Sequence, residues 1–219
     1  MIIKDIRIII SFLFVGLVTW WGYTVVQEEH VHTQSVSFNE RGNVLSEVGR
    51  FDEAIENYQR ALSIKPDYAD AYNNLGNALR QKGQLQESVV NYKEAIHLNP
   101  NLSDAYSNLG IVLTESGKFN EAIEQYRLAL SLNPELYQVH NSLAILLSQG
   151  GDVAGAIRHY QQAILLYPGF AKAHNNLGST LAGQGKFKEA INYFEKAIQI
   201  EPGYVDAKNN LELARSLLK

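Results

Sequence analysis

The chain has 219 residues, with 19 Lys and Arg against 23 Asp and Glu, 46% hydrophobic residues and no cysteine. Such a length suffices for one substantial domain or one elongated array, and the apolar content excludes wholesale disorder. A formal net charge of -4 argues against nucleic-acid binding, which needs a basic stripe; the lack of cysteine excludes disulfides, thiolate zinc sites, a cysteine nucleophile and a lipidated cysteine.

The first element is a run of 19 residues, Ile8 to Val26, without a charged side chain. At about 1.5 Å per residue it spans roughly 29 Å, close to the ~30 Å hydrocarbon core of a bilayer. Lys4 and Arg7 precede it, Glu28 and Glu29 follow it, and no Lys or Arg returns until Arg41. The positive-inside rule then places the N-terminus in the cytoplasm and the rest of the chain on the periplasmic or lumenal side. Trp20, Trp21 and Tyr23 sit somewhat early for an interfacial aromatic belt. Residues 1–26 are thus expected to be a single-pass membrane anchor. A cleaved signal peptide and a buried core helix are the alternatives, although no pair of small residues is spaced for cleavage between Trp20 and Glu29. Residues 27–34, QEEHVHTQ, read as a polar linker.

Beyond the linker, one period governs everything. The five prolines are Pro66, Pro100, Pro134, Pro168 and Pro202, each 34 residues from the next. With Ser35 as position 1, five units follow: 35–68, 69–102, 103–136, 137–170 and 171–204. Position 15 is Gly49, Gly83, Gly117, Gly151 and Gly185, and position 27 is alanine throughout. Position 24 is Tyr58, Tyr92, Tyr126, Tyr160 and Phe194, while positions 8 and 20 hold small residues. Positions 4, 7, 8 and 11 share one face of a first helix, and 20, 24, 27 and 28 one face of a second. Glycine at 15 permits a positive φ where the first helix stops, and proline at 32 cannot continue the second. Such hairpins bury their apolar faces only by stacking.

Units such as YNNLGNALRQKGQLQESVVNYKEAIHLNP resemble the tetratricopeptide repeat family, over about 170 of the 219 residues. The resemblance implies an all-α fold: a solenoid of antiparallel helix pairs in a right-handed superhelix, with a concave groove lined by the first helices. Residues 205–219 begin a sixth first helix and read as a capping helix. There Lys208, Glu212 and Arg215 stand at positions 4, 8 and 11, where a further unit wants aromatic, small and apolar residues. Arg41 in place of the usual leucine at position 7 marks the other terminal repeat.

The strongest candidate site is a ladder of asparagines. Asn74, Asn108, Asn176 and Asn210 occupy position 6, and Asn73, Asn141, Asn175 and Asn209 position 5; Asn77 joins the set. In the similar arrays of O-linked N-acetylglucosamine transferases, position-6 asparagines grip the backbone of an extended peptide. A primary amide suits that role because it offers a donor and an acceptor together. The bland alternative is that these asparagines are structural consensus residues. A chaperone-type carboxylate clamp is disfavoured, because Lys172 is the only cation at position 2. His140 and His174, both at position 4, suggest either a metal or proton switch or, preferred here, planar substitutes for Tyr at the repeat interface, since two ligands are few for a metal. His30 and His32 alternate in the linker. Gly178 and Gly183 mimic a phosphate loop, but Gln184 stands where lysine is required, and Asn101-Leu102-Ser103 is a glycosylation sequon.

No catalytic motif stands outside the repeat pattern, so the expectation is a non-enzymatic module without cofactor or metal. It would be a membrane-anchored adaptor or scaffold that binds protein or peptide partners, with no nucleic acid and no small-molecule substrate. Assembly factors of photosystem I look similar in layout, which makes biogenesis of a membrane complex an alternative. Self-assembly into a homo-oligomer and regulation of a glycosyltransferase in trans are the others.

Overall fold

The computed structural model describes residues 32–218, which contain eleven α-helices and no strand. The chain divides into two compact units, Met1–Leu98 and Asn99–Lys219. In the first lie α1 (32–47), α2 (Phe51–Ile64), α3 (Ala69–Gln81) and α4 (Leu85–Leu98). The second holds α5 (Ser103–Glu115), α6 (Phe119–Leu132), α7 (Tyr137–Gln149), α8 (Val153–Leu166), α9 (Ala171–Gly183), α10 (Phe187–Ile200) and α11 (Val205–Leu217). Every complete first helix runs from position 1 to 13 of its repeat and every second helix from 17 to 30. Residues 32–34, at the end of the segment expected to be a linker, already belong to α1, and the Ser35 hydroxyl donates back to the His32 carbonyl at 2.9 Å.

The period-34 glycines stop the first helices as expected. Gly49, Gly83, Gly117, Gly151 and Gly185 have φ between +74 and +87°. The residue after each donates its N–H five residues back, as Arg50 to Leu45 (2.8 Å) and Lys118 to Leu113 (2.9 Å), which satisfies carbonyls that the ending helix leaves open.

Close approach at position 8 sets the packing of each hairpin. A Cβ built on Gly42, Gly76 or Gly110 would lie 2.5 to 2.6 Å from the ring of Tyr58, Tyr92 or Tyr126. The ring therefore lies flat on the backbone of the first helix, with Ala or, in the second repeat, Ser88 at position 20 and Ala at position 27 fully buried beside it. In the first unit, Ala54 and Tyr58 of α2 form one core with Leu75, Ala78 and Leu79 of α3, so α2 also carries the first helix that follows it. In the second unit Leu143, Leu177 and Leu211 hold position 7 in the core. At the same position Arg41 is exposed and stacks its guanidinium over the Phe38 ring, 5.7 Å from its centre.

Among the described residues no helix is long and apolar enough to cross a membrane. The expected anchor, Ile8 to Val26, lies outside the described residues, as do His30 and the start of the linker.

Candidate functional site

The asparagines do form ladders, but with a division of labour that the sequence alone did not reveal. In the first unit Asn74 donates its amide N–H groups to Asn39 Oδ1 (3.2 Å) and Asn43 Oδ1 (3.1 Å) of the preceding repeat. The Tyr58 hydroxyl donates to the same Asn43 oxygen at 2.9 Å, and Asn39 donates to the Tyr68 hydroxyl at 3.5 Å. In the second unit Asn176 donates to Asn141 Oδ1 (3.1 Å), and Asn210 donates to Asn175 Oδ1 (2.9 Å) and to the Ser179 hydroxyl (3.3 Å).

Position 5 is therefore an inward position. Asn73, Asn141 and Asn175 are buried, and the side-chain oxygens of Asn141 and Asn175 accept hydrogen bonds from the next repeat. Burial without such a bond would be costly, which is why an amide rather than an apolar side chain can stand there. Asn77 is tied by its carbonyl to the Tyr92 hydroxyl at 2.8 Å. Asn108 is half-buried, and Asn209, beyond the last complete repeat, is exposed.

Position 6 is the outward rung. Asn74 and Asn210 spend both amide hydrogens on protein acceptors and Asn176 spends one. Their side-chain Oδ1 atoms have no protein partner among the described residues. What these rungs present is mainly an acceptor, which fits an N–H donor such as a peptide backbone. Asn176 keeps one amide hydrogen beside its oxygen, so the expected pairing of donor and acceptor remains at that rung.

Two adjoining hollows lie along the second unit. One, of about 340 Å³, is lined by Ser148, Gln149, Tyr160, Asn176, Ser179 and Thr180. The other, of about 280 Å³, lies among Ser179, Ala182, Phe187, Phe194, Leu213 and Leu217. Ser179 belongs to both, and the rungs Asn176 and Asn210 line one each. Burial pushes the Tyr160 hydroxyl up to about 12, so it stays neutral. The leucines and the small residues of α9 are the site residues that sequence reasoning missed. The signal was there at positions 9, 12 and 13 of the repeat.

The position-4 histidines sit at repeat junctions. His140 Nε2 donates to the Pro134 carbonyl and His174 Nε2 to the Pro168 carbonyl, each at 3.1 Å. A carbonyl only accepts, so neutral His140 keeps a lone pair on Nδ1, and His159 Nδ1 donates its hydrogen to it at 2.8 Å. His174 Nδ1 is buried without a partner, beside the Tyr193 ring at 6.1 Å between centres. Burial holds all three histidines below the usual imidazole range. Among the described residues no group of three His, Cys, Asp or Glu side chains is placed to hold a metal ion.

The family pattern of the TPR repeat matches residues 42–79, 76–114 and 146–185, and that of the Tetratricopeptide repeat matches 103–136 and 171–204. The chain belongs to the tetratricopeptide repeat family. This tetratricopeptide protein is similar to MamA, with 27% identity and a TM-score of 0.67 over 74% of this chain and 94% of that one. It is similar in fold to YrrB, described as a TPR protein with an unusual peptide-binding site, with 23% identity and a TM-score of 0.68 over 86% and 96%. TTC0263, a thermophilic TPR protein in Thermus thermophilus, shares 20% identity and a TM-score of 0.63 over 83% and 99%. Among curated proteins no relative matches the chain.

Proposed function

We propose that this tetratricopeptide protein is a membrane-anchored adaptor whose first-helix face takes an extended segment of a partner protein. Proteins of the family are protein-interaction scaffolds. The observation that carries the proposal is the pair of consecutive rungs, Asn176 and Asn210, each lining a hollow with its carbonyl oxygen unspent. Acceptors repeated once per helix pair suit the N–H groups of an extended backbone, whatever its side chains. This is the grip suggested by the resemblance to the arrays of O-linked N-acetylglucosamine transferases.

The magnitudes show what the ladder leaves to other contacts. A hydrogen bond yields ~0.5–1.5 kcal/mol net, so two or three rungs supply at most about 4.5 kcal/mol. Micromolar affinity needs about 8. Apolar contacts and the local concentration created by anchoring must provide the remainder. The anchor and the extracytoplasmic placement of the array are part of the proposal and rest on the charge-free run Ile8–Val26 behind Lys4 and Arg7.

The test is crosslinking of the full-length protein in its native membrane with partners identified by mass spectrometry, beside an Asn74, Asn176, Asn210→Ala variant. Loss of a partner set in the variant alone places binding on the ladder. The same set in both would remove it from that face. Protease added to intact cells should spare the array; digestion of an array presented to the cytosol would overturn the placement.

A further inference from the structure

The hollow of about 280 Å³ is built differently from the same place in the other repeats. Position 13 is Glu47, Gln81, Glu115 and Gln149 in the first four repeats but Gly183 in the fifth. Position 12, which is Ser46, Arg80, Thr114 and Ser148 in the first four repeats, is Ala182. A Cβ on Gly183 would meet nothing within 4 Å, so the missing side chain leaves open space rather than relieving a clash. Opposite, α11 turns its polar positions Lys208, Glu212 and Arg215 to solvent but also exposes Leu213 and Leu217, which are 59% and 55% exposed. The buried ring of Phe194 lies at the base.

The two hollows together contain no side chain that is charged at neutral pH. A Lys or Glu of a partner entering there would lose its hydration and find no counter-charge. The first hollow offers hydroxyls and amides, the second apolar carbon. Resting on the peptide-binding proposal above, we infer that the second unit selects an extended peptide segment without charges, carrying one bulky apolar side chain that seats between Gly183 and Leu217 while its backbone reaches Asn176 and Asn210. The anchor side chain covers the two leucines and supplies the apolar contact that the ladder lacks.

The experiment uses the full chain in detergent micelles and fluorescein-labelled nonapeptides of Gly, Ser and Thr, with Phe, Leu, Ser, Glu or Lys at the centre, read by fluorescence polarisation. The Phe and Leu peptides should bind at least tenfold tighter than the other three. Gly183→Gln, which installs the residue that repeat four carries at this place, should bring the Phe peptide to the level of the Ser peptide. It should leave the circular-dichroism melt unchanged, because the space is open and Gly183 does not have a positive φ. Asn176→Ala should weaken every peptide by a similar factor. Peptides that bind alike whatever their centre, yet weaken with Asn176→Ala, would overturn the selective hollow and leave the ladder standing. A Phe preference that survives Gly183→Gln would overturn it too. If no peptide binds at millimolar concentration, the ladder and the hollow both fall.

Discussion

Asn74 in the first unit and Asn176 in the second hold the same place in their repeats and stand in different company. Asn74 is the centre of a closed network: both of its hydrogens are spent on Asn39 and Asn43, and these in turn meet the hydroxyls of Tyr68 and Tyr58. Asn176 makes one such bond, to Asn141, and its surroundings open into a hollow. At Asn74 both amide hydrogens are spent on the preceding repeat, whereas Asn176 spends only one. One backbone plan therefore carries two kinds of surface, and the difference lies in side chains at positions the fold does not constrain.

The largest expected effect tests what the two units share. Tyr58→Ala and Phe194→Ala each remove a buried ring that lies against a first helix. Each should lower stability by about 3–5 kcal/mol, read by urea unfolding followed by circular dichroism. Tyr58→Phe should cost only about 1 kcal/mol, the bond to Asn43. Phe194 already shows that a ring without the hydroxyl fills this place. A loss below about 1 kcal/mol for either alanine variant would break the shared packing scheme.

A smaller effect separates the units. Asn74→Ala removes two amide bonds and leaves the buried Asn39 oxygen without that donor, so about 2 kcal/mol should be lost. For Asn176→Ala, with one bond, about 1 kcal/mol is expected. Equal losses in the same unfolding assay would contradict the contrast between a closed and an open network.

The scaffold was legible because its constraints are local and recur in phase. Proline at 32, glycine at 15 and the aromatic at 24 each answer to one backbone or packing need, and helix bounds follow at the same positions from α2 onward. The site was legible only in part. Positions 5 and 6 are adjacent, so helical periodicity places both near one face; only the neighbouring hairpin decides that Asn141 and Asn175 turn inward while Asn176 turns out. The partner of His140 is His159, 19 residues away on the second helix of the same hairpin, and no period links them. Attention to positions 4, 8 and 11 of α11 displayed its polar side and hid Leu213 and Leu217.

Acidification probes the second unit through His140, His159 and His174. Burial is the first cause of the lowered pKa in each. His159 is further lowered by His140, Arg158 and Arg127 and raised by Asp152; His174 is raised by its bond to the Pro168 carbonyl and lowered by Lys196. A first proton on His159 Nε2 leaves the bond to His140 intact. A second would place two N–H groups head to head across 2.8 Å, so the hairpin of α7 and α8 must part to accept it. A proton on His174 Nδ1 would be buried without an acceptor. The unfolded chain takes up these protons near the ordinary value of 6.5, and the folded chain only at lower pH. Stability is therefore complete above about pH 6.5 and falls as pH drops through that value toward the folded pKa values. Urea midpoints between about pH 7.5 and 5 should decline, and the decline should flatten in a variant carrying His140→Tyr, His159→Gln and His174→Tyr. Tyr106 and Gln125 already occupy the matching places of repeat three, and Tyr193 matches His159 in repeat five. If the variant declines as steeply as the natural chain, the acid response belongs to carboxylates and the two units do not differ in it.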